Sequence, residues 1–191
     1  MESNTNPRRG DWVQTFSKKR VYPLDPRPED ICIEDIAHAL SNQCRFAGHT
    51  KHFISVGQHS VLVSRLCPEP YKLWGLLHDA SEAYLMDIPS PFKYLPEMAT
   101  YRTFEAGMQY IIYLKFGLLG PEPPEVKAAD KLMLTCEATD LLSPLLPGWD
   151  KWIERLDISL ISPFEEDNLW FPEFAEDKFL YEFEALTKAK H

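Results

Sequence analysis

The chain has 191 residues, 45% of them hydrophobic and 26% charged, which is enough for one domain with its own core and excludes intrinsic disorder as the resting state. The formal net charge of -9 argues against long nucleic acid as a partner, because neutralising its phosphates needs an excess of Lys and Arg. A small anionic ligand is compatible with that charge only where a local cation reverses the field.

The four cysteines, Cys32, Cys44, Cys67 and Cys136, form no C-x-x-C pair and sit in apolar stretches. They read as free thiols in a reducing compartment. There is no signal-peptide pattern and no apolar run long enough to span a membrane, so the expectation is a cytoplasmic protein without a membrane partner.

Residues 1–30 are polar and interrupted by Pro7, Pro23, Pro26 and Pro28, and are read as an irregular extension. Within them WVQTF and RVYPL flank Ser17-Lys18-Lys19 and predict a short hairpin. Residues 31–191 read as one helical domain. Ile33, Ile36, Ala37 and Leu40 have helical spacing. After a loop from Gln43 to Ile54, Ser55-Val-Gly-Gln58 has the form of a capping box, which puts His59 in the first turn of a helix reaching Cys67. A helix is predicted over Tyr71–Tyr84, and Ile88-Pro-Ser-Pro91 is a turn. Further helices are expected over Glu97–Phe116, from first-turn Pro124 to Leu142, from Ser162-Pro163-Phe-Glu165, and over Trp170–Leu186. The fold class is all-α, a compact single-domain helical bundle.

The chemistry centres on His78-Asp79, at the end of the apolar run LWGLL. A buried carboxylate without a partner costs several kcal/mol. A lone His-Asp pair more often caps a turn or hydrogen-bonds within a core. Here Glu82 lies one helical turn beyond His78, Asp87 follows in the turn, and VKAAD places Lys127 and Asp130 on one face of a second helix. Carboxylates inside apolar sequence on two helices favour a metal.

HDASEAYLMDIPSPFKY, residues 78–94, closely resembles the central motif of HD-domain phosphohydrolases, in the bacterial 5′-deoxynucleotidase branch. QHSVLV from Gln58 resembles that family's first His-bearing helix, and VKAAD its last Asp-bearing helix. The resemblance covers residues 43–142 and extends to small phage-encoded deoxynucleoside triphosphate phosphohydrolases. It implies an HD-type helical bundle with His59, His78, Asp79 and Asp130 as metal ligands. Two imidazoles and two carboxylates suit Mn, Co, Zn, Fe or Ni, with Mg as a further option, better than Ca²⁺.

The resemblance also implies that Glu82 is the catalytic carboxylate, that Asp87 contacts the sugar, and that Lys93 and Lys127 face phosphates. Arg45-Phe46 stands where the family usually has Arg-Trp, with the guanidinium on phosphate and the ring against the nucleoside. Phe46 keeps the stacking surface and lacks the indole N–H. Against these stand bland readings: a surface Glu82, a turn-capping Asp87, solvated lysines. His49 and His52 could extend the site toward a second metal, but read better as a polar loop. Tyr101, Phe104, Met108, Ile111 and Ile112 read as core or subunit interface, and the resemblance implies a homo-oligomer. The expected activity is hydrolysis of a small-molecule (2′-deoxy)nucleotide at its 5′ phosphate ester or its triphosphate. Lys93 and Lys127 tilt that expectation toward polyphosphates. Alternatives are a non-catalytic nucleotide-binding module, which should have lost a ligand or Glu82, and a cyclic-nucleotide or dinucleotide phosphodiesterase, a class that usually carries more metal-site histidines than this sequence offers.

Overall fold

A computed structural model describes residues 7–151, 153, 164 and 169–188. Apart from a two-stranded hairpin it is helical, as the periodicity predicts. Strands β1 (Val13–Gln14) and β2 (Arg20–Val21) pair antiparallel, Val13 opposite Val21. The hairpin is fastened to the helices by Ser17, whose backbone N–H (2.6 Å) and hydroxyl (2.8 Å) both donate to the buried Asp35 carboxylate. Val21 and Ile31 are fully buried in the main core.

Helix α1 spans Ile33–Asn42 and starts with Glu34 and Asp35, acidic residues that suit the positive end of the helix dipole. Its stripe of Ile36, Ala37 and Leu40 is fully buried. Helix α2, Val56–Leu66, is capped by Ser55, whose hydroxyl accepts from the Gln58 N–H at 3.0 Å. The other half of the expected capping box differs: the Gln58 side-chain oxygen faces the Trp170 N–H at 3.3 Å and so ties α2 to the C-terminal segment.

The helix predicted over Tyr71–Tyr84 is broken. It is α3 (Lys72–Leu77), a turn over residues 78–81, and α4 (Glu82–Leu85). Across the turn the bonds run between residues three apart, from Ala80 N to Leu77 O (3.1 Å) and from Glu82 N to Asp79 O (3.0 Å), the tighter 3₁₀ pattern. Short α5 (Ser90–Lys93) fills the predicted proline turn. Helix α6 (Ala99–Lys115) buries Met108 and Ile112, so its apolar stripe is partly core. Helix α7 (Pro124–Leu141) opens on Pro124 as predicted. Helix α8 is Pro172–Lys188, while the helix expected from Ser162 lies outside the described residues.

Helix α2 lies at the centre and packs on α1, α3, α7 and α8. Two glycines set how closely its neighbours approach. A Cβ at Gly57 would stand 2.6 Å from the Ser41 hydroxyl and 3.0 Å from the Ser41 backbone nitrogen of α1. A Cβ at Gly75 would stand 2.7 Å from Cys67 Sγ and 3.1 Å from Ser64 Cα, so α3 lies directly on the backbone of α2. None of the described helices is long and apolar enough to cross a membrane.

Candidate metal centre

Three elements deliver the site. The first turn of α2 carries His59, the turn after α3 carries His78 and Asp79, and α7 carries Asp130. The Gly75 contact brings the first two elements together. His59 Nε2 lies 3.3 Å from His78 Nε2 and 3.2 Å from Asp130 Oδ1. His78 Nε2 is 3.3 Å from Asp79 Oδ2 and 3.7 Å from Asp130 Oδ1, and His59 Nε2 is 3.8 Å from Asp79 Oδ2. Ligand atoms of His59, His78 and Asp79 all lie within 4.8 Å of one another, and this group could hold a metal ion.

The surrounding hydrogen bonds fit that use. The Nδ1 of His78 faces the Gly75 carbonyl at 2.8 Å and must carry the hydrogen. The Nδ1 of His59 faces the Glu137 carboxylate at 2.6 Å, with both side chains fully buried, and likewise donates. In neutral imidazoles both Nε2 atoms then present lone pairs toward each other, an arrangement that needs a cation or a proton between them. Donors about 2.1 Å from one ion at tetrahedral or right angles stand about 3.0–3.4 Å apart, close to the separations found here.

Glu137 belongs to none of the motifs that mark the other site residues. It is seven residues after Asp130, two turns along the same face of α7 and inside the apolar stretch LMLTCEA. That position was the available signal. Besides orienting His59, Glu137 accepts from Arg45 Nε (3.3 Å) and Nη2 (3.0 Å). Burial pushes the Glu137 carboxyl up, but Arg45 and His59 outweigh it and hold it below the ordinary range. Arg45 also turns Nη1 toward Asp79 (3.9 Å) and Asp87 (3.8 Å). Burial opposes its charge, yet these carboxylates raise its pKa further.

Glu82 is 4% exposed, and its Oε2 has no hydrogen-bond partner. Burial, then the charges of Asp79 and Asp87, push its carboxyl well above the ordinary range against Arg45 and Lys93. With His78 and Asp79 it lines a cavity of about 190 Å³. Lys93 lines it too, with Nζ bound to Glu105 at 2.6 Å and 3.8 Å from Glu82. Gln43 fastens this segment, donating to the Glu82 carbonyl (3.0 Å) and accepting from the Asp87 N–H (3.2 Å). Lys127 is exposed and makes no ion pair among the described residues. His49 and His52 lie on an exposed loop, as expected.

A larger cavity of about 520 Å³ opens beside the centre. Arg45 and Asp87 lie on its inner side, and Phe46, Leu134, Leu146 and Trp149 form its apolar walls. The Phe46 and Trp149 rings are 6.3 Å apart. Phe46 and Ala47 both sit in the left-handed region, at φ 53° and 51°, so the chain bends sharply after Arg45. Trp149 and Leu146 come from the proline- and glycine-rich stretch after α7, where no periodicity marked a role.

No family model matches the chain. It is 45% identical over 130 residues to the uncharacterized protein YfdR of Escherichia coli strain K12, covering 68% of this chain and 72% of that one. It is 36% identical over 136 residues to an uncharacterized protein of Rhodobacter capsulatus, covering 66% of this chain and 69% of the relative. On the extent of these matches, the chain belongs to the protein family that includes YfdR.

Proposed function

We propose that this protein is a divalent-metal phosphohydrolase of the HD-domain type that cleaves a phosphate ester of a small (2′-deoxy)nucleotide. One observation carries the reading: two imidazole nitrogens, each with its ring hydrogen bonded away to an acceptor, face one point flanked by Asp79 and Asp130. His59, His78, Asp79 and Asp130 would hold the ion. When bound it supplies a Lewis acid for the phosphate and a more acidic water.

The protein's own groups do the rest. Arg45, at the junction of the centre and the larger cavity, binds a phosphate oxygen through Nη1. Phe46 and Trp149 flank the nucleoside, and Asp87 accepts from a sugar hydroxyl. Glu82, whose burial favours its protonated form, handles the proton between water and leaving oxygen. Lys93 is already paired with Glu105, and Lys127 is exposed on α7. A single buried guanidinium supports one phosphate more than three, which favours 5′-monophosphates over the polyphosphate preference expected from the two lysines.

The test uses chelator-stripped protein restored with Mn²⁺ or Co²⁺ and offered deoxynucleoside mono-, di- and triphosphates. Release of phosphate from at least one monophosphate is expected. No turnover of any substrate by protein that has demonstrably bound metal removes the reading. Asp79→Ala should lose the metal, and Glu82→Ala should keep the metal and lose the rate.

A further inference from the structure

The break between α3 and α4 has an identifiable occupant. In a continuous helix the Ser81 N–H would donate to the Leu77 carbonyl, four residues back. Instead Gln109, reaching across from α6, fills both positions. Its Nε2 donates to Leu77 O at 2.6 Å, and its Oε1 accepts from Ser81 N at 2.9 Å. One side-chain amide thus replaces one rung of the helix ladder, a recognised cause of helix interruption.

The interruption has a consequence for the centre. In an α-helix His78 and Glu82 share a face, and Asp79 points about 100° away. In the tighter turn residues three apart eclipse one another. The bond from Glu82 N to Asp79 O, 3.0 Å, sets Asp79 and Glu82 in that relation. Both then line the same small cavity as His78, with Gln109 at its wall.

We propose that Gln109 is a positioning residue: its amide holds the Leu77–Ser81 rung open, and this aims His78, Asp79 and Glu82 at one point. The other polar residues on this face of α6 act in the same direction. Tyr101 donates to the Met86 carbonyl at 2.9 Å, and Arg102 Nη1 donates to the Lys93 (2.6 Å) and Leu95 (2.8 Å) carbonyls. Helix α6 contributes no ligand to the centre but fixes the backbone of the segment that does. The inference rests on the metal reading above, and its test separates the two.

The variant is Gln109→Met, close in size and unable to make either bond. Gln109→Asn, one methylene too short to span both, is the milder second variant should the first fail to fold. The reference is Ile112→Ala, which loosens the buried face of α6 without touching the rung. Each chelator-stripped protein is titrated with Co²⁺ and followed by its visible absorption. Contacts within residues 77–85 are read by NMR.

The expected result is a loss of at least tenfold in Co²⁺ affinity and an altered spectrum for the residue 109 variants, with nuclear Overhauser contacts of the turn lengthening from i,i+2 to i,i+4. Ile112→Ala should melt at a lower temperature and bind Co²⁺ within twofold of wild type. Wild-type affinity and spectrum in folded Gln109→Met or Gln109→Asn overturn the proposal, as does an equal loss in Ile112→Ala. If the wild-type protein takes up no Co²⁺, the metal reading fails, and the NMR contacts alone decide whether Gln109 holds the rung open.

Discussion

Glu137 Oε1 stands 2.6 Å from His59 Nδ1, and its other oxygen stands 3.0 Å from Arg45 Nη2, so one buried carboxylate orients both a candidate ligand and a candidate phosphate-binding group. Removing it leaves Arg45 without its nearest buried counter-charge. Glu137→Ala should cost about 3 kcal/mol or more of stability in urea unfolding. Loss of a partner of this kind should also weaken metal binding by roughly 10–100-fold. Calorimetric titration with Mn²⁺ at unchanged affinity would show that His59 holds its orientation without Glu137.

Gly75→Ala tests the close approach of α3 to α2. The added methyl would stand 2.7 Å from Cys67 Sγ and 3.1 Å from Ser64 Cα, and the latter is backbone that cannot turn aside. A destabilisation of about 1–3 kcal/mol is expected from overpacking, together with weaker metal uptake, because the Gly75 carbonyl also receives the His78 Nδ1 hydrogen. Ser60→Ala, a substitution in the same α2 that removes only the bond to the Val56 carbonyl, should leave metal uptake near wild type. Thermal melts and the same titration check both.

Glu82 supplies a pH dependence whose sign is fixed by burial. Its carboxyl titrates well above the ordinary range in the folded protein. The stability tied to this group is therefore fully present below the ordinary glutamate range and is lost as pH rises toward the folded value. In metal-free protein Glu82→Gln should melt higher than wild type near pH 8, and the difference should shrink toward pH 4. A difference that grows with acid would mean that Glu82 is held ionised.

Ala47 occupies the left-handed region at φ 51°. A side chain there costs roughly 1–2 kcal/mol, partly offset by the extra freedom glycine has in the unfolded chain. Ala47→Gly should therefore raise stability by up to about 1 kcal/mol in denaturant titration, while leaving metal affinity unchanged.

Most of the helices were legible because their signals are local. Ser55 announces the start of α2, Pro124 that of α7, and period-3.6 burial marks α1 and α6. The meeting of His59, His78, Asp79 and Asp130 was implied by the resemblance to HD-domain phosphohydrolases, and the distances place these side chains together. Beyond Glu137, two residues that matter left no signal in the sequence. Gln109 is an ordinary polar residue on a long helix, and only the tertiary fold brings its amide to the Leu77–Ser81 rung, 32 and 28 residues away. The reading of Tyr71–Tyr84 as one helix failed for the same reason: periodicity cannot register a side chain arriving from elsewhere to take a backbone bond. Trp149 was equally hidden, since the irregular stretch after α7 has no period from which a cavity wall could be inferred.

The seating of Ser17 on Asp35 bears on how short the chain can be made. Asp35 is 2% exposed, and both of its described hydrogen-bond donors belong to residue 17. A truncated protein beginning at α1 would lose both of these donors, and with them Val21 and Ile31 from the core. For crystallisation or display, the minimal unit therefore begins before the hairpin, although every residue assigned to the centre lies after it.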